Sequence, residues 1–366
     1  MIDMALVREN PEQYGKLIKR KSPDFDVESL LALDVKVREL TVSVESLRQQ
    51  KNELASQAKS GVTEELREKS IAIGKELKEQ EAVFETTQSE FKNLLLTCPN
   101  VPYQDVPEGD KDQNVVVKEH GQKPTFSFEL KNHLELGEQN GWFNLEAATK
   151  MAASNFVFYQ GEAVKMMYGL AMMMLKNNSR HGFEPVLPPY LANEQTLTVS
   201  GNFPKFKEEV FSVPEDNLYL IPTSEVCLAN LYRNEILQGA DLPKKMTSWT
   251  SCFRREAGNY GKTERGLIRI HQFEKVELFA LSKPEDSVKI LDEMVACAEN
   301  ILQKLGLHYR ISLLAAQDCS FQSAKTFDIE VWLPGQERYY EVSSASNCTD
   351  FQARRGKIRY RDSQDE

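Results

Sequence analysis

Apolar residues recur at alternating spacings of three and four near the start of the chain. Between residues 27 and 60 the repeating positions are Leu30, Leu33, Val37, Leu40, Val44, Leu47, Leu54 and Ala58, with Lys51 in the remaining slot. Between residues 63 and 96 they are Leu66, Ile73, Leu77, Phe84, Phe91 and Leu94, with Ser70, Gln80 and Thr87 in the other slots. This heptad pattern is typical of a coiled-coil seam.

Only a short break, Ser60-Gly61, separates the two stretches. Helices over about 27–60 and 63–96 must therefore fold back on each other as an antiparallel hairpin, which we call the arm. At 1.5 Å per residue, each helix would extend for about 50 Å. We expect the arm to form most of an N-terminal domain that spans residues 1–100.

After residue 96 the pattern changes to short elements. Residues 101–127 combine proline, glycine and mixed charge, which predicts a linker. Helices are expected over about 160–180 and 286–305. Strand-like runs lie near residues 217–223, 247–256, 266–280, 309–315, 327–333 and 338–344. Successive strands with hairpin-length loops predict an α+β domain with an antiparallel sheet over residues 128–366, rather than a doubly wound parallel sheet.

Two of these predicted strands carry charged side chains on one face. Alternation places Arg254 and Glu256 together on the first strand, and Arg269, Phe273 and Glu277 together on the returning strand. A solvated face with surface ion pairs is the commonest fate of such charges. A phenylalanine among them instead favours a nucleotide site, because a ring stacks on a base and arginine binds phosphate in a planar, bidentate manner.

Two further segments combine carboxylates with hydroxyls. In LIPTSEV, Thr223 and Glu225 would share a strand face after Pro222. In YYEVSSASN, Glu341 and Ser343 would share a face, with Ser344 opposite. Carboxylate and hydroxyl oxygens suit Mg²⁺ bound to phosphates. The sequence contains no P-loop, dinucleotide-binding fingerprint or nucleophilic triad.

Composition and charge narrow the class of protein. Charged residues make up 27% and hydrophobic residues 41%, and no apolar run approaches the roughly 20 residues that span a bilayer. The N-terminus lacks the apolar region of a signal peptide. Six cysteines without a C-x-x-C pair and five dispersed histidines predict free thiols, no zinc site and a cytoplasmic location. The net charge of −10 limits nucleic-acid binding to local patches.

With these segments in view, the chain resembles the bacterial type of seryl-tRNA synthetase, a class II aminoacyl-tRNA synthetase. GFEPVLPPYL resembles motif 1, CFRREAG with RGLIRIHQFEKVELF resembles motif 2, and LIPTSEV and SNCTDFQARR resemble segments of the seryl branch. The resemblance runs from residue 1 to the last residues. It implies an α+β fold, with an N-terminal antiparallel coiled-coil arm followed by a class II antiparallel β-sheet catalytic domain flanked by helices.

The resemblance also implies roles for individual residues. Catalysis would depend on Arg254 and Glu341, and Glu341 and Ser344 would hold Mg²⁺ through ATP, which requires an irregularity in their strand. The ATP-binding residues would be Arg254, Arg255, Glu256, Arg269, Phe273, Glu341, Val342, Ser343 and Ser344. The serine-binding residues would be Thr223, Ser224, Glu225 and Glu277. Which carboxylate takes the ammonium of serine and which takes its hydroxyl stays open.

The implied reaction is ATP-dependent formation of seryl-adenylate, followed by transfer to serine tRNA and also to selenocysteine tRNA, by a homodimer whose arm grips the tRNA. Charge alone favours a solvated structural coiled coil. Residues 28–60 hold five basic and five acidic side chains, and residues 63–96 hold five and eight. Shape contacts by a few placed lysines and arginines would have to carry recognition.

The sequence ends at RYRDSQDE, where a family member would continue into motif 3 with a serine-contacting serine and an ATP-contacting arginine. We therefore expect either a fragment, inactive by itself, or a natural truncation. A truncation would favour a non-catalytic, synthetase-like RNA-binding or regulatory protein, against which the intact motif 2 argues. A ligase that loads amino acids onto carrier proteins is a third alternative, and the arm argues against it.

Overall fold

The computed structural model describes residues 1–59, 61–256 and 267–362. It divides into two units, one of Ile2–Cys98 and one of Pro99–Glu366 together with Met1. The smaller unit is helical, with α1 (Met4–Glu9), α2 (Pro11–Lys21), α3 (Val27–Ala58) and α4 (Glu64–Leu96). The antiparallel pair of α3 and α4 confirms the predicted arm. Ser60, in the predicted break, lies outside the described residues.

Local caps and a short apolar seam define the arm. The side chain of Asp26 accepts a hydrogen bond from the backbone N–H of Ser29 at the start of α3, and that of Thr63 accepts from Leu66 at the start of α4. Buried side chains from both helices form the seam: Val44, Leu47 and Leu77, with Ile73 and Phe84 packed against them. Beside this seam, Arg48 of α3 and Glu81 of α4 form an ion pair at 2.7 Å between the two helices.

One buried charge in this unit was not predicted. The side chain of Asp34, on α3, is 4% exposed and accepts hydrogen bonds from Arg8 at 2.9 Å and from Arg38 at 3.2 Å. The predicted seam did not include it. A buried carboxylate needs such partners, because desolvation without them is costly. Asp34 therefore ties α1 to the base of the arm.

The larger unit mixes helices and strands. Its helices are α5 (His133–Asn140), α6 (Leu145–Met151), α7 (Glu162–Arg180), α8 (Glu194–Ser200), α9 (Glu225–Leu228), α10 (Ser287–Lys304) and α11 (Phe351–Gly356). Its strands are β1 (Val115–His120), β2 (Phe143–Asn144), β3 (Phe158–Tyr159), β4 (Glu184–Pro185), β5 (Leu191–Asn193), β6 (Ser212–Val213), β7 (Leu218–Leu220), β8 (Ile236–Gln238), β9 (Lys244–Phe253), β10 (Gln272–Leu281), β11 (Tyr309–Leu313), β12 (Lys325–Leu333), β13 (Arg338–Asn347) and β14 (Arg359–Arg361).

Two sheets contain seven of the fourteen strands given above. The strand order β1-β11-β12-β13 forms a four-stranded antiparallel sheet, and β10-β9-β4 forms a three-stranded sheet in which β4 runs parallel to β9. Smaller sheets join β5-β7-β6, β2-β3 and the parallel pair β14-β8. The prediction of an α+β fold with a mainly antiparallel sheet is confirmed.

Helix α10 covers one face of the four-stranded sheet. The buried cluster joins residues of α10 to residues of β11, β12 and β13: Leu291, Val295, Leu302, Tyr309, Ile311, Ile329, Val331 and Ala345. Burying this apolar surface stabilises the sheet and leaves its opposite face available for polar residues.

Ile329 lies at the centre of this cluster and is completely buried. Replacing Ile329 with alanine is expected to lower the free energy of unfolding by about 2–5 kcal/mol, because the cavity adds to the lost transfer free energy. Urea denaturation followed by circular dichroism measures the change. Val288→Ala on α10 is the control, since Val288 is 49% exposed. Equal effects for the two variants would contradict the assigned core.

The ends of three predicted strands were wrong. Strand β9 ends at Phe253 and β10 begins at Gln272, so Arg254, Glu256 and Arg269 do not share a strand face. Glu256 has a φ of +53°, in the left-handed region. Residues 257–266 lie outside the described residues. Strand β7 ends at Leu220, and Glu225 begins a helix instead of continuing a strand.

Candidate active site

Strands β9 and β10 form the floor of the candidate site. Their antiparallel register places Phe273 opposite Cys252, and Glu277 opposite Ser248. Phe273 and Glu277 are four residues apart on the unbroken strand β10, so they share one face of the sheet, as alternation predicted. Cys252 and Ser248, directly opposite them, point to the same face. On the other face, Glu274 accepts hydrogen bonds from neighbouring side chains of β9.

The connection after β7 brings Thr223 onto this floor. The backbone N–H of Phe253 donates to the carbonyl of Ile221 at 2.9 Å, which holds the connection beside the end of β9. The buried hydroxyl of Thr223 then donates to Glu277 Oε2 at 2.6 Å. Thr223 and Glu277 therefore meet, although Thr223 does not lie on a strand.

Lys275 completes this contact and was not among the predicted site residues. Its Nζ lies 2.9 Å from Thr223 Oγ1 and 2.7 Å from Glu277 Oε2. Burial opposes the charged ammonium most strongly, but the charge and the hydrogen bond of Glu277 together with the charge of Glu225 outweigh it, so the pKa of Lys275 lies above its ordinary value. Phe273, Lys275 and Glu277 are spaced by two residues on β10 and therefore lie on the same face. This spacing is the only sequence signal for Lys275.

Glu225 adds a second carboxylate. Its Oε1 accepts hydrogen bonds from Gln352 at 2.7 Å and from Gln322 at 3.4 Å. Burial, and then the charge of Glu277, raise the pKa of Glu225 above its ordinary value. We call Thr223, Glu225, Lys275 and Glu277 the Thr223 cluster. Beside it, the hydroxyl of Ser224 is buried and has no hydrogen-bond partner within the described residues.

Arginines lie at the open end of the floor. The guanidinium of Arg254 is 5.2 Å from the centre of the Phe273 ring, and its Nε donates to the carbonyl of Pro222 at 3.4 Å. Arg269 forms an ion pair with Glu256 at 2.5 Å. The exposed Arg255 lies against Phe211, with its guanidinium 6.0 Å from that ring. Among the predicted nucleotide-binding residues, Arg254 therefore lies beside Phe273, and Arg269 beside Glu256.

A β-bulge at Val342 sets the faces of β13. Ser343 pairs with Ile329 and Glu341 pairs with Glu330, so Val342 is an extra residue in the ladder. Ser344 pairs with Asp328. Because Asp328 and Glu330 are two residues apart on β12, Glu341 and Ser344 share their face.

This register corrects the prediction that Glu341 and Ser343 share a face opposite Ser344. The bulge is also the irregularity that allows Glu341 and Ser344 of the same strand to lie on one face. Ser343 instead points toward the side of the sheet that Ile329 and α10 occupy.

Asp328 is the second residue that sequence reasoning missed. The hydroxyl of Ser344 hydrogen-bonds with Asp328, while Asp328 Oδ1 is buried and has no partner in the described parts of the chain. Burial, and then the nearby charge of Glu341, raise the pKa of Asp328 to about 7. Burying a carboxylate oxygen without a partner costs free energy, so the geometry of Asp328 Oδ1 fits a ligand for a bound cation.

The described residues contain neither a metal site built from protein side chains alone nor a membrane-spanning helix. Residues 1–59, 61–256 and 267–362 contain no group of three or more histidine, cysteine, aspartate or glutamate side chains placed to hold a metal ion. Asp328 and Glu341 are two carboxylates, a number that suits Mg²⁺ shared with substrate phosphates. Among the described helices, none is both long and apolar enough to cross a membrane.

Comparison with known proteins agrees with this geometry. Residues 1–102 match the seryl-tRNA synthetase N-terminal domain, and residues 206–366 match the tRNA synthetase class II core domain for the G, H, P, S and T enzymes. The chain is 44% identical to the serine–tRNA ligase of Nautilia profundicola over 99% of its own length and 89% of the relative's. The corresponding values for the serine–tRNA ligase of Syntrophobacter fumaroxidans are 43%, 99% and 87%.

A solved structure shows the same similarity. The seryl-tRNA synthetase from Pyrococcus horikoshii, crystallised with ATP, superimposes with a TM-score of 0.92 at 34% identity, covering 100% of this chain and 88% of that one. The matches of both units and the similarity over nearly the whole chain point to the same family. The chain belongs to the seryl-tRNA synthetase family.

Proposed function

We propose that this protein is a serine–tRNA ligase, which activates L-serine with ATP and transfers it to serine tRNA and to selenocysteine tRNA. The observation that carries the proposal is the Thr223 cluster, which lies on the same sheet face as Phe273, with Arg254 at its end. Relatives named serine–tRNA ligase at 41–44% identity support it.

The first step joins serine to the α-phosphate of ATP. A carboxylate oxygen of serine attacks the α-phosphorus, the bond from that phosphorus to the bridging oxygen breaks, and pyrophosphate leaves. In this proposal Arg254 holds the α-phosphate, Arg269 reaches the terminal phosphates and Phe273 stacks on adenine. Fixed cations stabilise charge on the transferring phosphate, so the reaction needs no covalent enzyme nucleophile. The 3′-terminal hydroxyl of tRNA then takes the seryl group and AMP leaves.

Mg²⁺ is the proposed cofactor, and zinc has no role in the proposal. The buried, unpartnered Oδ1 of Asp328, together with Glu341 and Ser344 on the same face, fits a hard cation with oxygen ligands. When bound, Mg²⁺ neutralises phosphate charge. The chain's contribution is to hold three oxygen donors on one face through the bulge at Val342.

Replacing Asp328 with asparagine is expected to weaken binding of Mn²⁺, a spectroscopic substitute for Mg²⁺, by about 10- to 100-fold in the presence of ATP. Electron paramagnetic resonance of free Mn²⁺ measures this without catalysis. Glu330→Gln is the matched control, because its carboxylate lies on the same face but already accepts hydrogen bonds from Arg310 and Ser312. Unchanged Mn²⁺ affinity in Asp328→Asn would remove Asp328 from the cation site.

The remaining assignments complete the proposal. Residues 1–100 form the tRNA-binding domain and residues 128–366 the catalytic domain of a cytoplasmic homodimer. The predicted linker, residues 101–127, adds β1 to the four-stranded sheet by pairing with β11, so it is part of the larger unit. Exposed apolar side chains on α7, Met166, Tyr168 and Met172, support a partner surface, because each is 45–51% exposed. Sedimentation at micromolar concentration tests the dimer.

Charging of tRNA tests the proposed function. The native protein is incubated with ATP, Mg²⁺, labelled serine and total tRNA from its own cells, and the charged species are identified by sequencing. The expected products are serine tRNA and selenocysteine tRNA esterified with serine. Charging of another tRNA class, or none, would contradict the proposal.

A further inference from the structure

Lys275 lies at the centre of a closed network of hydrogen bonds. Its ammonium contacts Thr223 Oγ1 at 2.9 Å and Glu277 Oε2 at 2.7 Å, and the Thr223 hydroxyl contacts the same carboxylate oxygen at 2.6 Å. The side chain of Lys275 is 32% exposed and that of Glu277 is 14% exposed. The three groups therefore fix one another in a partly desolvated position, where hydrogen bonds to charged groups are strong.

The hydrogen bonds within this network determine which donors and acceptors remain for a ligand. The single hydroxyl hydrogen of Thr223 goes to Glu277, and its oxygen accepts from Lys275 and, at 3.3 Å, from the backbone N–H of Glu225. Thr223 therefore has no donor left for a substrate. Within the described residues, Glu277 Oε1 and Glu225 Oε2 accept no hydrogen bond, so these two oxygens are the available acceptors.

The charges lead to the same residue. Glu225 and Glu277 would present two negative charges to an amino acid that brings one ammonium group. The charged groups that act on Lys275 are these two carboxylates and the guanidinium of Arg254. With Lys275 in place, Glu225, Glu277 and Lys275 sum to one negative charge, which matches one substrate ammonium, while the charge of Arg254 is left for the phosphate of ATP.

We propose that Lys275 is a positioning residue of the amino-acid site, which orients Thr223 and Glu277 and leaves one carboxylate charge for the substrate ammonium. This inference rests on the proposed function. It makes Thr223 a support for Glu277 rather than a direct donor to serine. The ammonium of Lys275 contacts Thr223 and Glu277 directly, so we expect Lys275 to affect amino-acid binding more than ATP binding.

Steady-state pyrophosphate exchange with the native protein and its variants tests this role. Lys275→Met is expected to raise KM for serine about 10- to 100-fold, because it removes the only charged partner of the partly buried Glu277 carboxylate among the described residues, and to change KM for ATP by less than about twofold. Lys275→Arg, which keeps the charge, is expected to recover part of the loss. Lys245→Met is the matched control: Lys245 is 20% exposed and ion-paired with Glu293, at the far end of β9.

Variants of Thr223 keep the test valid if Lys275→Met does not fold. Thr223→Ser retains the hydroxyl and is expected to raise KM for serine much less than Thr223→Val, which is expected to raise it as Lys275→Met does. The effects in the double variant should be less than additive. An equal rise of KM for ATP, or equal behaviour of the two Thr223 variants, would overturn the inference while leaving the proposed function intact. If the unmodified protein activates no serine, both fail.

Discussion

Replacing Arg254 with alanine is expected to lower the rate of serine-dependent ATP–pyrophosphate exchange by about 10²- to 10³-fold, the usual effect of removing one fixed group that stabilises transition-state charge. Arg254 follows β9 directly, lies against Phe273 and is anchored to the carbonyl of Pro222. Its position is therefore set before any substrate arrives. The rate is measured at saturating serine and ATP.

Two variants control for charge and for folding. Arg254→Lys keeps the charge but loses the planar, bidentate contact, so most of the defect should remain. Arg359→Ala removes an exposed arginine from β14 and should behave as the unmodified protein does. The thermal unfolding temperature of Arg254→Ala should stay close to that of the unmodified protein, because Arg254 is exposed. Full exchange activity in Arg254→Ala would exclude it from the phosphate site.

Shortening the arm is expected to separate the two half-reactions. Arg48 of α3 lies beside Glu81 of α4, so residues 41–88 can be replaced by a short glycine-containing turn that joins facing positions and keeps the base of the arm and the contacts of Asp34. Pyrophosphate exchange should change by less than about twofold, since every candidate site residue belongs to the other unit. Charging of serine tRNA should fall by at least about 100-fold, equivalent to losing two charge-assisted hydrogen bonds.

The comparison requires both assays on one preparation. Loss of exchange together with charging would mean that the shortened protein is misfolded or that the arm supports activation. Intact charging with the shortened arm would contradict the proposed contact between the arm and tRNA. It would favour the alternative that charge alone indicated, a solvated structural coiled coil.

The arm was predictable because a helical seam is encoded by spacing within one segment. The heptad positions gave both helices to within a few residues of α3 and α4. Asp34 was not predictable, because its burial depends on Arg8, which lies 26 residues earlier and reaches it only after α1 packs. Periodicity identifies a face, but it does not identify partners from another element.

The site was predictable only where alternation applies. Phe273 and Glu277 share a face because β10 runs unbroken from Gln272 to Leu281. The bulge at Val342 depends on the register with β12, and one strand alone does not reveal an extra residue. Asp328 and Lys275 appear in the sequence as ordinary charged positions of strands, and only their cross-strand and loop neighbours distinguish them.

Activation of serine by this site can be measured by ATP–pyrophosphate exchange with the native protein and each of the twenty amino acids. We expect exchange with serine, and a rate with alanine lower by about 10⁴-fold, because a site built to hydrogen-bond a hydroxyl rejects the analogue that lacks it. Exchange supported by a different amino acid, or by alanine as well as by serine, would contradict this expectation.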